Sequence, residues 1–213
     1  MAFSSKRIMK NTLVLYVRMV FTMLIALYTS RVVLKALGIE DYGLYNIVGG
    51  TVALFSFLKT SMTSATQRFL SYELGRTEGG AESNMVFCAS LTTHIIIAIV
   101  LLILCESIGV WFLNTQISIP EGREFAANVI FQFSVLVICI GLIIIPYLAC
   151  VISHEDMSYY AYVSIFDAVL KLMIAIAVSL VVSFDRLILY GFLIMMIALI
   201  FLYVLIMKLV LKN

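Results

Sequence analysis

Apolar positions dominate this chain in six long runs, separated by short clusters of charge, glycine and proline. The runs cover residues 11–37, 42–70, 84–113, 124–152, 159–182 and 187–210. Each exceeds the ~20 residues that a helix needs to cross a hydrocarbon core of ~30 Å. None shows the short alternating segments of a membrane β-barrel. The pattern predicts an all-α polytopic membrane protein, with residues 1–213 forming one six-helix bundle.

Polar residues inside two of the runs are not scattered. In the second, Asn46, Gly49, Ala53, Ser56, Thr60, Thr63 and Gln67 recur at alternating steps of three and four, which places them on one helix face. Ile47, Leu54, Phe55, Leu58, Met62 and Phe69 take the other side. Such a stripe serves either close helix packing, where small residues let backbones approach, or the wall of a hydrated cavity. In the first run Asn11, Arg18, Thr22, Ala26 and Thr29 also share a face. Arg18 cannot face lipid unless its long stem reaches the interface, and intramembrane cations usually face a bundle interior or water. Two neighbouring helices with polar faces and buried cations favour the cavity.

Composition agrees with the membrane reading. The chain is 63% hydrophobic and only 12% charged, against about a quarter charged in soluble domains, and its mean hydropathy is +1.13. The basic start MAFSSKRIMKN precedes an apolar run, yet that run is too long for a signal peptide, contains Arg18 and lacks a small-residue cleavage site. It reads as a retained first span. Cys88, Cys105, Cys139 and Cys150 lie within apolar runs without metal-ligand spacing and read as small core residues.

Cation placement gives an orientation. With six spans both termini share one side, which carries Lys6, Arg7, Lys10, Arg68, Arg76, Lys208 and Lys212. The opposite side carries Arg31, Lys35, Arg123 and Arg186, so seven against four places both termini in the cytoplasm. The turn in SRVVLKALGIEDYGLYNIVGG joins spans one and two. There Gly38 is expected as a left-handed C-cap, and Glu40 or Asp41 as a cap at the start of the next helix.

Other candidates for chemistry are few. Asp167 and Lys171 are spaced i,i+4 in the fifth span, one face of a helix, and read either as a neutralised packing pair or as a coupling switch. Gly141 and Pro146 predict a kink in the fourth span, and Ser153–Asp156 a solvated turn capping the fifth. His94 and Glu106 are candidates for polar networks within the third span. No GxSxG, HExxH or P-loop occurs, Asp167 is the only aspartate within a span, and an enzyme is not expected. No cofactor, metal site or nucleic-acid partner is expected either.

Two stretches carry a resemblance to a known family. NTLVLYVRMVFTMLIALYTSRVVLKALGIEDYGLYNIVGG, continuing into SATQRFLSYELGR, resembles the start of the bacterial polysaccharide flippases. These are the O-antigen, Wzx-type members of the multidrug/oligosaccharidyl-lipid/polysaccharide exporter superfamily. IPYLACVISHEDMSYYAYVSIFDAVLKL resembles that family's fourth helix, short cytoplasmic loop and fifth helix. The likeness runs through the whole chain in order. It implies the N-terminal lobe of a two-lobed exporter in the bacterial inner membrane, with a first helix pair lining a central cavity. The implied cargo is a polyprenyl-diphosphate-linked oligosaccharide for surface polysaccharide or lipopolysaccharide synthesis.

The 213 residues hold one such lobe, so membrane lipids and either a C-terminal lobe or a second copy are the partners implied. A diphosphate head needs polar walls and cations, and Arg18, Arg31, Lys59 and Arg68 lie on the two helices proposed to line the cavity. Lys59 and Arg68 can alternatively snorkel to the surface. The expected cavity lining is Arg18, Thr22, Arg31, Asn46, Ser56, Lys59, Thr60, Thr63 and Gln67, with Asp167 and Lys171 as a switch pair. Rival readings are a six-helix scaffold subunit without transport and a drug/cation antiporter of the same superfamily. A cation-lined cavity would have the wrong sign for the antiporter.

Overall fold

The computed structural model describes residues 2–76, 81–181 and 185–212. Val182, the expected end of the fifth span, lies outside them, as do the side chains of Lys6, Arg7 and Lys212 in the orientation count. The described residues are helical almost throughout, with no strand among them. The helices are α1 (Ala2–Leu37), α2 (Ile39–Ala53), α3 (Ser56–Arg76), α4 (Ala81–Leu104), α5 (Val110–Gln116), α6 (Glu124–Ser153), α7 (Met157–Leu180) and α8 (Arg186–Lys212). A π turn, Cys105–Gly109, joins α4 to α5 without a gap.

Five stretches are long and apolar enough to cross a membrane: Met9–Leu37, Ser83–Gln116, Glu124–Ser153, Met157–Leu180 and Arg186–Lys208. The chain is therefore a multi-pass, all-helical membrane protein. The second expected run departs from the sequence reading, because it breaks at Leu54–Phe55 into α2 and α3. There Phe55 N donates to Val52 O and Leu58 N to Phe55 O, both at 3.1 Å. These i→i+3 bonds tighten the turn and re-phase the residues beyond it. α2 has only 15 residues, and α3 carries Ser, Thr, Gln, Lys and Arg through its length. The pair nevertheless runs beside the whole of α6. Asp41 meets Arg123 at one end, and Ser71 Oγ donates to Ser153 Oγ at 3.1 Å at the other.

The α1–α2 turn also differs from expectation. Gly38 has φ 83° and ψ 173°, so it occupies an extended mirror region open essentially to glycine alone, not the left-handed helical region. It ends α1 through a bond from its N–H to Leu34 O at 3.0 Å, and it occupies the N-cap position of α2. Glu40 and Asp41 sit inside the first turn of α2, and neither caps it by a side-chain bond. Their charge still meets the positive end of the helix. The acidic turn before α7 behaves as expected, with Asp156 Oδ1 accepting from Tyr159 N at 3.3 Å.

α6 is the central element and runs unbroken through the buried Pro146. Its Ile130, Val135, Cys139 and Leu142 pack with Leu44, Val48 and Val52 of α2, Ala98 and Leu101 of α4, and Leu187 of α8. α1 stands outside this core. It packs chiefly on α7, with Val33, Ala175, Val178 and Tyr190 forming a second apolar cluster, and meets α2 mainly beside their turn. α3 packs on α6 and α4 instead. Because α1 leans on α7 and α3 on α6, a groove is left between them.

Candidate functional site

The groove holds two cavities that share one wall residue. The larger, about 560 Å³, is lined by α1, α2, α7 and α8. Arg18, Thr22, Asn46, Asp167 and Lys171 all contribute to it, together with Tyr42, Tyr45, Ser164 and Tyr190. The smaller, about 290 Å³, lies between α2, α3, α6 and α8 and takes in Ser56 and Lys59 with Gly49, Ser134 and Gly141. Tyr45 lines both, and its ring meets Tyr190 edge-on with centroids 5.3 Å apart.

Each charged group is positioned by its own helix. Lys171 Nζ donates to Asp167 Oδ2 at 2.7 Å, one turn apart on α7. The Arg18 guanidinium lies over the Tyr160 ring, 4.6 Å from its centroid, a cation–π contact that holds it near the start of α7. Its Nε is buried without a hydrogen-bond partner. Lys59 reaches α6 where Gly141 leaves room: a Cβ on that glycine would lie 3.6 Å from Lys59 Nζ. The larger cavity thus brings two cations, Arg18 and Lys171, to one carboxylate, Asp167, and Lys59 lines the cavity next to it.

The small polar groups are satisfied within their own helices. Thr22 Oγ1 donates to Arg18 O at 2.9 Å and Asn46 Nδ2 to Tyr42 O at 2.7 Å. Their remaining lone pairs can accept from a hydrated or hydroxylated guest without cost to the fold.

Four expected lining residues fall elsewhere. Thr60, Thr63 and Gln67 line neither cavity; within α3 it is Ser56 and Lys59, three residues apart and so neighbours on the helix surface, that border the smaller one. Arg31 is exposed and also lines neither. Thirteen residues from Arg18 at ~100° each, it points to the opposite side of α1. The tyrosines of the seam, Tyr45 and Tyr190, and the space above Gly141 went unforeseen. Only Gly141 gave a signal, as a glycine in an otherwise bulky apolar run.

A cluster of charge closes one end of the bundle. Arg123, at the head of α6, bonds both Asp41 of α2 and Asp185 before α8. Beside it Arg186 Nη1 donates to Ala36 O at 3.1 Å and its Nε to Val181 O at 2.9 Å, covering the C-terminal carbonyls of α1 and α7. Burial pushes the Asp41 carboxyl above its ordinary range; Arg123 pulls it down, but Asp185 and Glu40 push it further up. At the other end Lys208 bonds Asp156 at 2.6 Å and lies over the Tyr159 ring. The groove therefore runs between two tied ends.

No protein-family model, curated protein or solved structure shows a significant match to this chain.

Proposed function

We propose that this chain is one lobe of a flippase that moves a polyprenyl-diphosphate-linked oligosaccharide across the bacterial cytoplasmic membrane, for surface polysaccharide or lipopolysaccharide synthesis. The observation that carries the reading is Arg18 beside the Lys171–Asp167 pair in one cavity, with Lys59 lining the cavity next to it. An anionic diphosphate crossing a bilayer needs cations that are already in place and walls that can hydrogen-bond a sugar head. Arg18 lines the larger cavity, and Lys171 can exchange its carboxylate partner for phosphate. A drug/cation antiporter would need the opposite sign of charge.

In this reading α2 and α3 together form the second of six crossings, and both termini are cytoplasmic. The partner that closes the groove is a C-terminal lobe or a second copy. Movement of the cargo would release the Asp167–Lys171 pair, by protonation of the carboxylate or by phosphate at the ammonium. A scaffold subunit without transport would need none of these groups for activity.

The test is complementation of surface polysaccharide in a flippase-deficient host. Arg18→Ala and Lys171→Ala should each lower surface polysaccharide at least tenfold at normal membrane abundance. Full activity of both variants would contradict the reading.

A further inference from the structure

Two charged side chains that the groove does not use, Arg31 and Glu106, lie on the outside of the bundle within apolar spans. Glu106 sits in the π turn Cys105–Gly109, a local irregularity that recurs at functional sites. The turn is held by close packing: a Cβ on Gly109 would come within 2.6 Å of Phe131 Cζ. It presents Glu106 to the exterior, with Gln132 Nε2 donating to its Oε2 at 3.0 Å as its partner among the described residues. Arg31 is exposed on the far side of α1 from the groove and makes no ion pair among the described residues.

The two charges lie at the same depth. Arg123 bonds Asp41, so the head of α6 and the α1–α2 turn share a level. From there Gln132 is nine residues along α6, ~13 Å, and Arg31 seven residues back from Gly38, ~11 Å. Arginine can snorkel from that depth, but glutamate has too short a stem to do so. An isolated carboxylate in hydrocarbon is costly and calls for a cation.

The helices carrying them are built alike. α4 and α5 lead toward the same end as α1, so α1 and α4 run parallel. On α1 the exposed residues Val17, Val20, Leu24, Leu27 and Arg31 advance in alternating steps of three and four. On α4 Thr92, Ile96, Ile99 and Ile103 do the same, and Glu106 follows three residues on, in the π turn. Parallel seams of this spacing pack side by side at a shallow left-handed crossing. One seam ends in a cation and the other in an anion.

We propose that the chain self-associates, with α1 of one copy packed on α4 of another and Arg31 pairing with Glu106 inside the membrane. The two surfaces differ, so the contact either forms twice about a two-fold axis or closes a ring. It does not depend on what the groove carries.

The experiment uses the full chain in native membranes and in nanodiscs. Copies with Arg31→Cys under one tag and Glu106→Cys under another are co-expressed and treated with a short bis-maleimide. Cross-linking between the two tags is expected, and copies that both carry Arg31→Cys should not join. By mass measurement, Arg31→Gln and Glu106→Gln should each weaken self-association at least tenfold, Arg31→Lys should retain it, and Arg31→Glu with Glu106→Arg in one chain should restore it. These near-isosteric changes leave the bundle's packing intact, which a thermal melt checks. A parent chain that stays monomeric, a charge swap that fails to restore association, or Glu106→Cys cross-linking only to a different protein would overturn the proposal.

Discussion

Lys171 and Asp167 are joined at 2.7 Å across one turn of α7, and both border the cavity that Arg18 borders from α1. A pair that only fixes packing would work equally well reversed. A switch would not, because its two members face different partners. Asp167→Asn should therefore cut transport at least tenfold with little loss of protein from the membrane. Asp167→Lys combined with Lys171→Asp should restore abundance but not transport. Membrane immunoblots beside a surface-polysaccharide assay separate the two, and a swap that restores both would make the pair structural.

Lys59 and Gly141 give a steric test of the groove. The space for the Lys59 ammonium exists because α6 has no side chain at position 141. Gly141→Leu should fill it, displace Lys59 and lower transport several-fold. Gly141→Ala puts one methyl at an ordinary contact distance and should be tolerated, with a gain of up to ~1 kcal/mol in helix propensity. Equal activity of the leucine variant would show that Lys59 takes no part in transport.

The Arg123 cluster should matter for stability and show a definite pH dependence. Removing Arg123 leaves the Asp41 carboxylate buried beside Asp185 without its cation. The loss at neutral pH should be about 1–3 kcal/mol, the cost of stranding a buried charged acceptor, held to the lower part by partial exposure of Arg123 and Asp185. The Asp41 carboxyl is already raised by burial, and losing Arg123 raises it further. Its folded form then binds a proton more tightly than its unfolded form, so the penalty is present above the raised value and fades as pH falls through it. Melting Arg123→Ala at neutral and acid pH should show the gap from the parent narrowing in acid, and Arg123→Ala with Asp41→Asn should show little pH dependence.

Gly38 is a point where backbone conformation dictates the residue. Its φ of 83° with ψ of 173° disfavours any side chain, so Gly38→Ala should destabilise by about 1–3 kcal/mol. Although a Cβ would meet no neighbour there, the strain lies in the backbone itself. A thermal shift assay in detergent measures the loss, and an unchanged melting temperature would show that the turn can relax.

The sequence carried the membrane class and the position of most helices, since hydrophobic length alone separates a spanning helix from a soluble one. The Asp167–Lys171 contact was legible because i,i+4 spacing fixes it within one helix. What escaped depends on tertiary partners. Arg123 and Asp41 are 82 residues apart, and no local pattern joins them. The break at Leu54–Phe55 was hidden because the alternation of three and four continues through it in sequence but not in helical phase. Arg31 shared a helix with Arg18, but thirteen residues at ~100° each put it on the other side, and that offset was already legible in the spacing. Glu106 was noticed as an intramembrane acid, while its partner Gln132 lies on another helix.

The proposed flipping can be measured directly. The chain is reconstituted into liposomes, alone and with whichever partner closes the groove, and a fluorescent polyprenyl-diphosphate saccharide is placed in one leaflet. The fraction protected from a membrane-impermeant quencher then reports movement between leaflets. If the groove carries an anionic, lipid-linked cargo, movement should depend on the chain, fall at least tenfold in Arg18→Ala and be absent for a neutral polyprenyl saccharide without phosphate. Movement unaffected by loss of Arg18, or equal for the neutral lipid, would contradict the assignment of the groove to an anionic, lipid-linked cargo.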